Sequence, residues 1–164
     1  MKSKLFPTQN DQREALRRAM IDLLNQQLAD AIDLGLQAKQ AHWNVKGPHF
    51  IGLHELFDKV AEEIEEFIDD IAERAVELGG VALGTVQVIS KESRLEAYPL
   101  ELASGQGHVT ALSAATAKFG ASTRAAIDAA NEAGDADTAD LFTGVSRGVD
   151  KLVWMLEAHL HAKD

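Results

Sequence analysis

The sequence contains no cysteine. Disulfide bonds, thiolate metal sites and cysteine nucleophiles are therefore excluded. Any metal ion that this chain binds must be held by imidazole and carboxylate groups. Long apolar runs are also missing, because no stretch approaches the roughly eighteen residues that a membrane span requires. The first residues, MKSKLFPTQNDQ, lack the apolar segment of a secretory signal. The expected location is therefore the cytoplasm, with association with the nucleoid as a variant of that expectation.

Basic residues are scarce as well. The chain has 16 lysines and arginines against 26 aspartates and glutamates, which gives a net charge of −10. A compact body with this charge attracts cations and repels the phosphate backbone of nucleic acids. Near the termini the lysines are Lys2, Lys4 and Lys163, and they do not form a long basic tail. We therefore expect DNA binding to be weak or absent, and we expect no membrane partner.

Only three prolines occur, at positions 7, 48 and 99, and they mark breaks in the pattern. A length of 164 residues with 46% hydrophobic content fits one globular domain with a sizeable core. We therefore expect a short N-terminal tail over residues 1–10 and a single domain over residues 11–162.

Four stretches carry apolar residues at alternating steps of three and four, which predicts amphipathic helices. The paired glycines Gly79-Gly80 end the second stretch as a C-terminal cap. The segment GDADTAD is rich in acids. Since capping and the helix dipole favour acids at a helix N-terminus, we expect this segment to begin the fourth helix. The expected helices run from about Asp11 to about Gln40, from Pro48 to Gly79, around Val109 to Ala130, and around Phe142 to Leu160.

The connections predict how these helices pack. The segment around Pro48 and the segment from Ala133 to Ala136 are short, so each joins antiparallel neighbours. The segment from Gly79 to about Leu102 is long enough, when extended, to follow a helix of about 45 Å from one end to the other. A hairpin, a long crossover carrying a short helix, and a second hairpin give an all-α four-helix bundle.

Four side chains that can bind metals lie on one stripe of the second helix. With His54 at 0° and about 100° per residue, Asp58 falls at about 40°, Asp69 at about 60° and Glu73 at about 100°. The apolar residues cluster on another face, at roughly 220–320°. The four form two pairs at spacing i, i+4: His54 with Asp58, the histidine pair, and Asp69 with Glu73, the carboxylate pair. Such ligands suit iron, manganese or zinc and do not choose among them.

The two pairs are too far apart to hold one ion. They are separated by about eleven residues, or roughly 16 Å along the helix, whereas metal–ligand bonds are about 2 Å long. If the helix meets that of a second copy about a two-fold axis near Glu63 and Ile64, the histidine pair of one chain faces the carboxylate pair of the other. His42, at the end of the first helix, can join them. The prediction is two identical sites shared between chains. The alternative is a solvated acidic face, which is our interpretation of Glu62, Glu63, Glu65 and Glu66.

The run KQAHWNVKGPHFIGLHELFDKVAEEIEEFIDDIAERAVELGG resembles the signature of the Dps mini-ferritins, the DNA-binding proteins from starved cells. The resemblance continues through GTVQVI and YPL to DTADLFTGVSRGVDKLVWMLEAHL, and so covers nearly the whole chain. Its most specific element is the spacing of five residues. Eleven residues separate His42 from His54, three separate His54 from Asp58, ten separate Asp58 from Asp69, and three separate Asp69 from Glu73. None of these positions departs from the family's pattern. The Glu-x-x-His arrangement of ferritins that bind metal inside one bundle is absent from the inward faces.

The resemblance implies a ferritin-like four-helix bundle with a di-iron ferroxidase centre between two subunits. The implied iron ligands are His42, His54 and Asp58 of one subunit with Asp69 and Glu73 of its two-fold mate. It further implies a hollow dodecamer that oxidises Fe(II), preferably with hydrogen peroxide, and stores the ferric mineral inside. Such a protein protects DNA and the cell from oxidative damage. Zinc or manganese are other ions that the same ligands would accept.

Other residues are assigned with the same resemblance in view. Trp43, beside His42, is interpreted as a packing residue, and the alternative is an electron donor near the metal. The remaining histidines match no ligand position and are expected at the surface or behind the ligands: His49, His108, His159 and His161.

A cluster of acids stands at the junction before the fourth helix: Glu132, Asp135, Asp137 and Asp140. Relatives of the family line a three-fold pore with acids from this region, through which iron enters. Asp135 and Asp140 are therefore candidate pore residues. The alternative is that these acids cap the helix and favour its dipole.

Two other functions are weighed against the ferroxidase. Some relatives compact DNA as nucleoid structural proteins through a long lysine-rich N-terminal tail. This chain lacks such a tail, and twelve copies would add only weak avidity. A passive carrier of divalent metals would bind ions without turning them over.

Overall fold

The structure is a computed structural model, and it describes residues 4–162. This part of the chain contains five helices. Lys2 and Lys163, considered above as basic termini, lie outside the described residues. No helix in this range is long and apolar enough to cross a membrane. The helices are α1 (Glu14–Asn44), α2 (Phe50–Glu77), α3 (Val86–Glu92), α4 (Gly105–Ala133) and α5 (Ala136–Glu157).

The long helices pack as two hairpins, α1 against α2 and α4 against α5. The hairpins face each other through contacts of α1 with α4 and of α2 with α5, while α3 lies against α1. Residues 78–104 form the crossover that joins the hairpins, and α3 lies within it. The predicted all-α bundle with a long crossover and a short helix is therefore confirmed.

The ends of the helices follow local sequence signals. The first helix begins three residues later than expected and continues to Asn44, because Gly47 and Pro48 are the residues that break it. At the end of α2, Gly79 has a φ of 86° and its N–H donates to the oxygen of Val76 at 2.8 Å. This confirms the predicted glycine cap, since a positive φ costs glycine little.

The core is built from the apolar stripes that predicted the helices. Phe57, Phe119 and Phe142 are fully buried, one on each of α2, α4 and α5. Burying a side chain of this kind contributes roughly 1.5–3 kcal/mol relative to leaving it exposed. Leucines and isoleucines fill the space between these rings and complete one continuous core: Leu24, Leu28, Leu34, Ile64, Ile71, Leu112 and Leu152.

Polar side chains on α1 fasten the crossover along its outer face. We call Asn25, Gln26, Asp30, Asp33 and Gln37 the α1 ladder. Most of its bonds go to the main chain of the crossover: Asn25 Nδ2 to Val81 O at 3.1 Å, Leu83 N to Asn25 Oδ1 at 2.8 Å, Gln26 Nε2 to Glu92 O at 2.8 Å, and Gln37 Nε2 to Glu96 O at 3.1 Å.

The central rung of the ladder is an ion pair. Asp30 is buried and accepts hydrogen bonds from the backbone N–H of Arg94 at 2.8 Å and from its Nε at 2.9 Å. Next to it, the hydroxyl of Ser93 donates to Asp33 at 2.5 Å. Replacing the Arg94 side chain would leave the buried carboxylate of Asp30 with the backbone N–H of residue 94 but without its ion-pair partner, which destabilises the fold.

Candidate metal centre

The turn between α1 and α2 brings His42 and His54 together. Gly47 adopts a φ of 118°, which glycine accepts readily. The backbone N–H of Lys46 donates to the oxygen of Ala103 at 2.8 Å, so the turn is fastened to the segment that precedes α4. The hairpin is therefore fixed at the end that carries the two histidines.

The two imidazoles hold each other through the main chain. His42 Nδ1 lies 2.8 Å from the carbonyl oxygen of His54, and His54 Nδ1 lies 2.8 Å from the carbonyl oxygen of His42. The rings stack with their centroids 3.7 Å apart. Because a carbonyl oxygen can only accept, each Nδ1 must carry a proton. In the neutral ring Nε2 then keeps its lone pair and is the atom free to bind a metal, the arrangement typical of metal-ligating histidines.

Asp58 lies one helical turn beyond His54, with its Oδ1 3.9 Å from His42 Nδ1. The same oxygen accepts a hydrogen bond from Lys39 Nζ at 2.5 Å. This hydrogen bond lowers the pKa of Asp58, against a smaller opposing effect of burial, and the nearby histidines and the lysine charge lower it further. His42, His54 and Asp58 thus form one cluster, which we call the half-site.

Lys39 also belongs to this cluster, although the sequence pattern was not used to predict it as a site residue. Its position three residues before His42 puts it on the same face of α1, which is the signal that was available. Its ammonium group also lies 6.0 Å from the centroid of the Trp43 ring. Lys39 therefore supplies a positive charge where the proposed centre would place a metal ion beside Asp58.

The carboxylate pair does not join the half-site of its own chain. Asp69 and Glu73 are exposed on α2, and roughly 16 Å of helix separates them from His54 and Asp58. Within residues 4–162, no group of three or more histidine, aspartate or glutamate side chains is arranged to hold a metal ion. One copy of the chain thus presents the predicted ligands as two separate parts. A centre composed of both parts requires a second copy, and that assembly stays a prediction.

Trp43 does not pack into the core of its own chain. It is 65% exposed, beside a histidine of the half-site. Other large apolar side chains at this end of the hairpin are exposed as well: Leu36, Phe50 and Ile51. Packing of Trp43 against a second copy, and its alternative role as an electron donor, both stay predictions.

The acids before α5 separate into one buried residue and several exposed ones. Asp135 is 0% exposed and caps α5 by accepting hydrogen bonds from Thr138 N at 3.1 Å and Thr138 Oγ1 at 2.6 Å. Its two oxygens also accept from Arg74 at 3.1 and 3.3 Å. Burial favours a raised pKa for Asp135, but the hydrogen bonds from Thr138 and Gln12 and the charge of Arg74 outweigh it, and the pKa is lowered. The structure therefore favours the cap over the pore for Asp135, whereas Glu132, Asp137 and Asp140 are exposed.

Of the four remaining histidines, three lie at the surface and one lies inside the bundle. His49, His159 and His161 lie at the surface, but His108 is only 1% exposed. His108 stands four residues before Leu112 and therefore belongs to the buried stripe of α4, a signal that its sequence position already carried. Its Nδ1 lies 2.8 Å from the hydroxyl of Tyr98, and no group in the described chain hydrogen-bonds its Nε2.

Comparison with known proteins gives one consistent result. A family model described as a ferritin-like domain matches residues 21–163. The DNA protection during starvation protein of Agrobacterium fabrum is 45% identical over 160 residues, which cover 98% of this chain and 99% of the relative. DpsC from Streptomyces coelicolor superposes with a TM-score of 0.92 at 30% identity, covering 99% of this chain and 94% of that chain. Dps from Microbacterium arborescens in its high iron form superposes with a TM-score of 0.86 at 32% identity, covering 92% and 97% of the two chains.

The four-helix bundle, its long crossover and the matched domain define a protein of the ferritin-like class. Within that class the chain belongs to the Dps family of mini-ferritins. The resemblance drawn from the ligand spacing is thereby confirmed at the level of the family.

Proposed function

We propose that this Dps protein is a ferroxidase and an iron-storage protein. It oxidises Fe(II), preferably with hydrogen peroxide, at di-iron centres shared between two copies, and it keeps the ferric mineral inside a hollow dodecamer. The observation that carries the proposal is the half-site, in which two imidazoles are locked through Nδ1 and present their free Nε2 beside a carboxylate. The exposed carboxylate pair on the same helix supplies the complementary half from a second copy.

The charges of the ligand set suit iron oxidation. Two neutral imidazoles and three carboxylates give each proposed centre three negative charges. These charges stabilise a trivalent ion more than a divalent one, because Coulomb energy grows with the charge of the ion. Two Fe(II) ions supply the two electrons that reduce one hydrogen peroxide molecule to water. The carboxylates thus favour the ferric product, and the paired electrons avoid the release of a hydroxyl radical.

Protection of DNA follows from this chemistry without tight binding to DNA. The relative from Agrobacterium fabrum is named for DNA protection during starvation. For this chain, we infer that removing Fe(II) and peroxide together supplies the protection. The net charge of −10 opposes the alternative, compaction of DNA by direct binding.

The test is Fe(II) oxidation followed by optical absorbance on protein sized by light scattering, with peroxide and dioxygen compared. We expect oxidation faster than in buffer, with peroxide the better oxidant, and a mass close to twelve chains. Replacing His42 by glutamine should slow oxidation, whereas His49→Gln, at an exposed histidine of the same hairpin, should not. Binding of Fe(II) without accelerated oxidation would favour the passive metal carrier and contradict the ferroxidase.

A further inference from the structure

The end of the crossover, residues 97–103, is tied to the start of α4 by a buried hydrogen bond. The hydroxyl of Tyr98 lies 2.8 Å from Nδ1 of His108. His108 is held in place by α4, because its backbone N–H donates to the oxygen of Ser104 at 3.1 Å. Residues 97–103 contain no helix or strand. The hydrogen bond therefore fastens an irregular segment to a fixed position of the bundle.

The phenol decides the direction of this hydrogen bond. Burial raises the pKa of Tyr98 to about 12, so the hydroxyl keeps its proton at neutral and mildly acidic pH. Among the described residues this hydroxyl has one hydrogen-bond partner, so the phenol donates and Nδ1 of His108 accepts. In the neutral ring the single proton then lies on Nε2. A second proton can enter the ring only at Nδ1, the atom that binds Tyr98.

A proton on His108 would therefore break the hydrogen bond in its present direction. An imidazolium only donates, so the phenol would lose its acceptor and its O–H would be buried without a partner. A buried donor without a partner is costly, and so is a buried charge without a counter-charge. Both costs are relieved when the end of the crossover moves away from α4 and water reaches the two rings.

The surroundings of His108 keep its ring neutral while the segment is in place. Burial has the largest effect and lowers the pKa of His108. The main chains of Leu102 and Asn44 act in the opposite direction, and the positive charge of Lys46 lowers the pKa further. The N-terminal end of α4 also carries positive partial charge, which disfavours a cation at this position.

The groups that face His108 come from each element packed against it. On the crossover the group is the phenol of Tyr98, and on the turn between α1 and α2 it is the charge of Lys46. On α2 the neighbour is Phe57, whose ring centroid lies 6.2 Å away and which has no group that titrates. No carboxylate among the described residues acts on His108 to balance a positive charge there.

We propose that His108 is an acid-sensitive switch that holds the end of the crossover against α4 at neutral pH and releases it in mild acid. Release also loosens the turn between α1 and α2, because the backbone N–H of Lys46 donates to the oxygen of Ala103 at 2.8 Å. This turn connects the two helices that carry the half-site. The switch is a property of the fold and does not depend on the proposed function.

The pH dependence of the switch has a definite sign. The pKa of His108 is lowered while the segment is in place, whereas a hydrated histidine has a pKa of about 6.5. Above about pH 6.5 the ring is neutral in both states, and opening does not depend on pH. Below that pH, opening becomes easier by up to about tenfold per pH unit, until the pH reaches the lowered value.

The experiment is amide hydrogen exchange, read by mass spectrometry on the assembled, metal-free protein from about pH 7.5 to about pH 5, a range that spans the ordinary histidine pKa. The reporter is the amide of Lys46, because its bond to Ala103 is lost when the crossover end leaves. We expect its protection, corrected for the intrinsic rate of exchange, to fall as the pH drops below about 6.5. Deuterium exchange at the histidine ring carbons measures the pKa of His108 in the same samples.

Two variants separate the titration of His108 from its role in packing. In His108→Asn the amide oxygen takes the place of Nδ1 and accepts from Tyr98, but the side chain does not titrate. Protection of the Lys46 amide in this variant should therefore not depend on pH. His49→Asn, at an exposed histidine of the same end of the bundle, should keep the wild-type dependence. Circular dichroism and light scattering verify that each variant is folded and assembled.

Three results would overturn the proposal. The first is constant protection of the Lys46 amide in the wild type over the whole pH range. The second is a loss of protection in acid that persists in His108→Asn. If that variant does not assemble, the wild type decides alone, because the loss of protection must level off at the pKa that ring exchange gives for His108. Levelling off at the pKa of another histidine is the third.

Discussion

His42 and His54 orient each other through main-chain oxygens, each Nδ1 lying 2.8 Å from the carbonyl of the other residue. A carbonyl remains when its side chain is replaced. Removing one imidazole therefore leaves the other ring with its hydrogen bond and its free Nε2. The two candidate ligands can be removed one at a time, so mutations can test each of them separately.

The first prediction concerns metal binding by the half-site. His42→Ala and His54→Ala should each weaken Zn(II) binding by more than the roughly 10–100-fold typical of losing a supporting hydrogen bond to a ligand. In each variant, ¹⁵N NMR should find the surviving ring protonated at Nδ1. Isothermal titration calorimetry measures the affinity, and His49→Ala is the control. Equal affinity in all three variants would remove the histidines from the ligand set.

The second prediction concerns sharing of the centre between chains. His54→Ala and Asp69→Ala should each be inactive alone but regain activity when the two chains are co-assembled. Random pairing about a two-fold axis gives about one quarter intact centres, because half of the dimers are mixed and each mixed dimer has one intact centre. Mixed shells of correct size that show no recovery of Fe(II) oxidation would rule out shared centres.

The third prediction concerns Lys39, whose Nζ lies 2.5 Å from Oδ1 of Asp58. Its ammonium group competes with a metal ion for this oxygen, so Lys39→Met should tighten Zn(II) binding. The same change should raise the pKa of Asp58 towards the ordinary aspartate value, since the hydrogen bond from Lys39 is the largest cause of its lowering. Calorimetry and a carboxyl NMR titration measure the two effects.

Lys59→Met is the matched control for this substitution. Lys59 is an exposed lysine beside Asp58 in the sequence, and its replacement removes the same charge without removing the hydrogen bond. If both variants change Zn(II) affinity equally, the effect of Lys39 is general electrostatics rather than competition at Asp58.

The fourth prediction separates the buried acid before α5 from an exposed one. Asp135→Asn keeps the cap of α5 but removes the charge that faces Arg74, and should cost about 1–3 kcal/mol of stability. Asp140→Asn should leave stability unchanged within about 0.5 kcal/mol. If Asp140 lines the route by which iron enters, its variant should instead slow oxidation at limiting Fe(II) and weaken the salt dependence. If Asp140→Asn oxidises Fe(II) at the wild-type rate and with the wild-type salt dependence, iron enters by another route.

The contribution of Asp135 should depend on pH with a definite sign. Its pKa is lowered in the folded protein, so its ionised form stabilises the fold. That contribution is complete above the ordinary aspartate pKa of about 3.9 and is lost as the pH falls through the lowered folded-state value. The difference in unfolding free energy between wild type and Asp135→Asn should therefore shrink in acid. Urea unfolding at a series of pH values measures it, and a difference that grows in acid would contradict the assignment.

The fifth prediction concerns DNA. With a net charge of −10, the protein should not retard duplex DNA at about 0.1 M salt, where the screening length is about 10 Å. It should nevertheless protect the same DNA from cleavage by Fe(II) and peroxide. A gel shift and a nicking assay on one plasmid test both statements. Stoichiometric retardation at neutral pH would contradict the expectation of weak binding.

The helices could be predicted because they are a local property of the chain, and the spacing of the candidate ligands is likewise visible in the sequence. Leu112 and Phe119 recur with the helical period, and His54 and Asp58 are spaced i, i+4. The polar contacts could not be predicted in this way. Asp135 meets Arg74 across 61 residues of sequence, and Asp58 meets Lys39 across 19. Such partners become neighbours only when helices pack, and no periodicity records which side chains then meet.

His108 illustrates the intermediate case. Its position on the apolar stripe predicts burial, but a histidine placed there without knowledge of Tyr98 has no visible partner. Joining the two parts of the metal centre is a further step again. It depends on a surface that a second copy of the chain would supply. The sequence indicates that surface only through the stripe of candidate ligands on α2.

The α1 ladder has a consequence for how the crossover can change during evolution. Asn25, Gln26 and Gln37 bind main-chain atoms of the crossover, which every amino acid possesses. Substitutions within the segment therefore leave these ties in place, whereas a deletion or insertion would shift each later partner out of register. The number of residues between Val81 and Glu96 should consequently be held constant in homologues while their identities drift. Ser93 and Arg94 are the exceptions, because their side chains also bind Asp33 and Asp30.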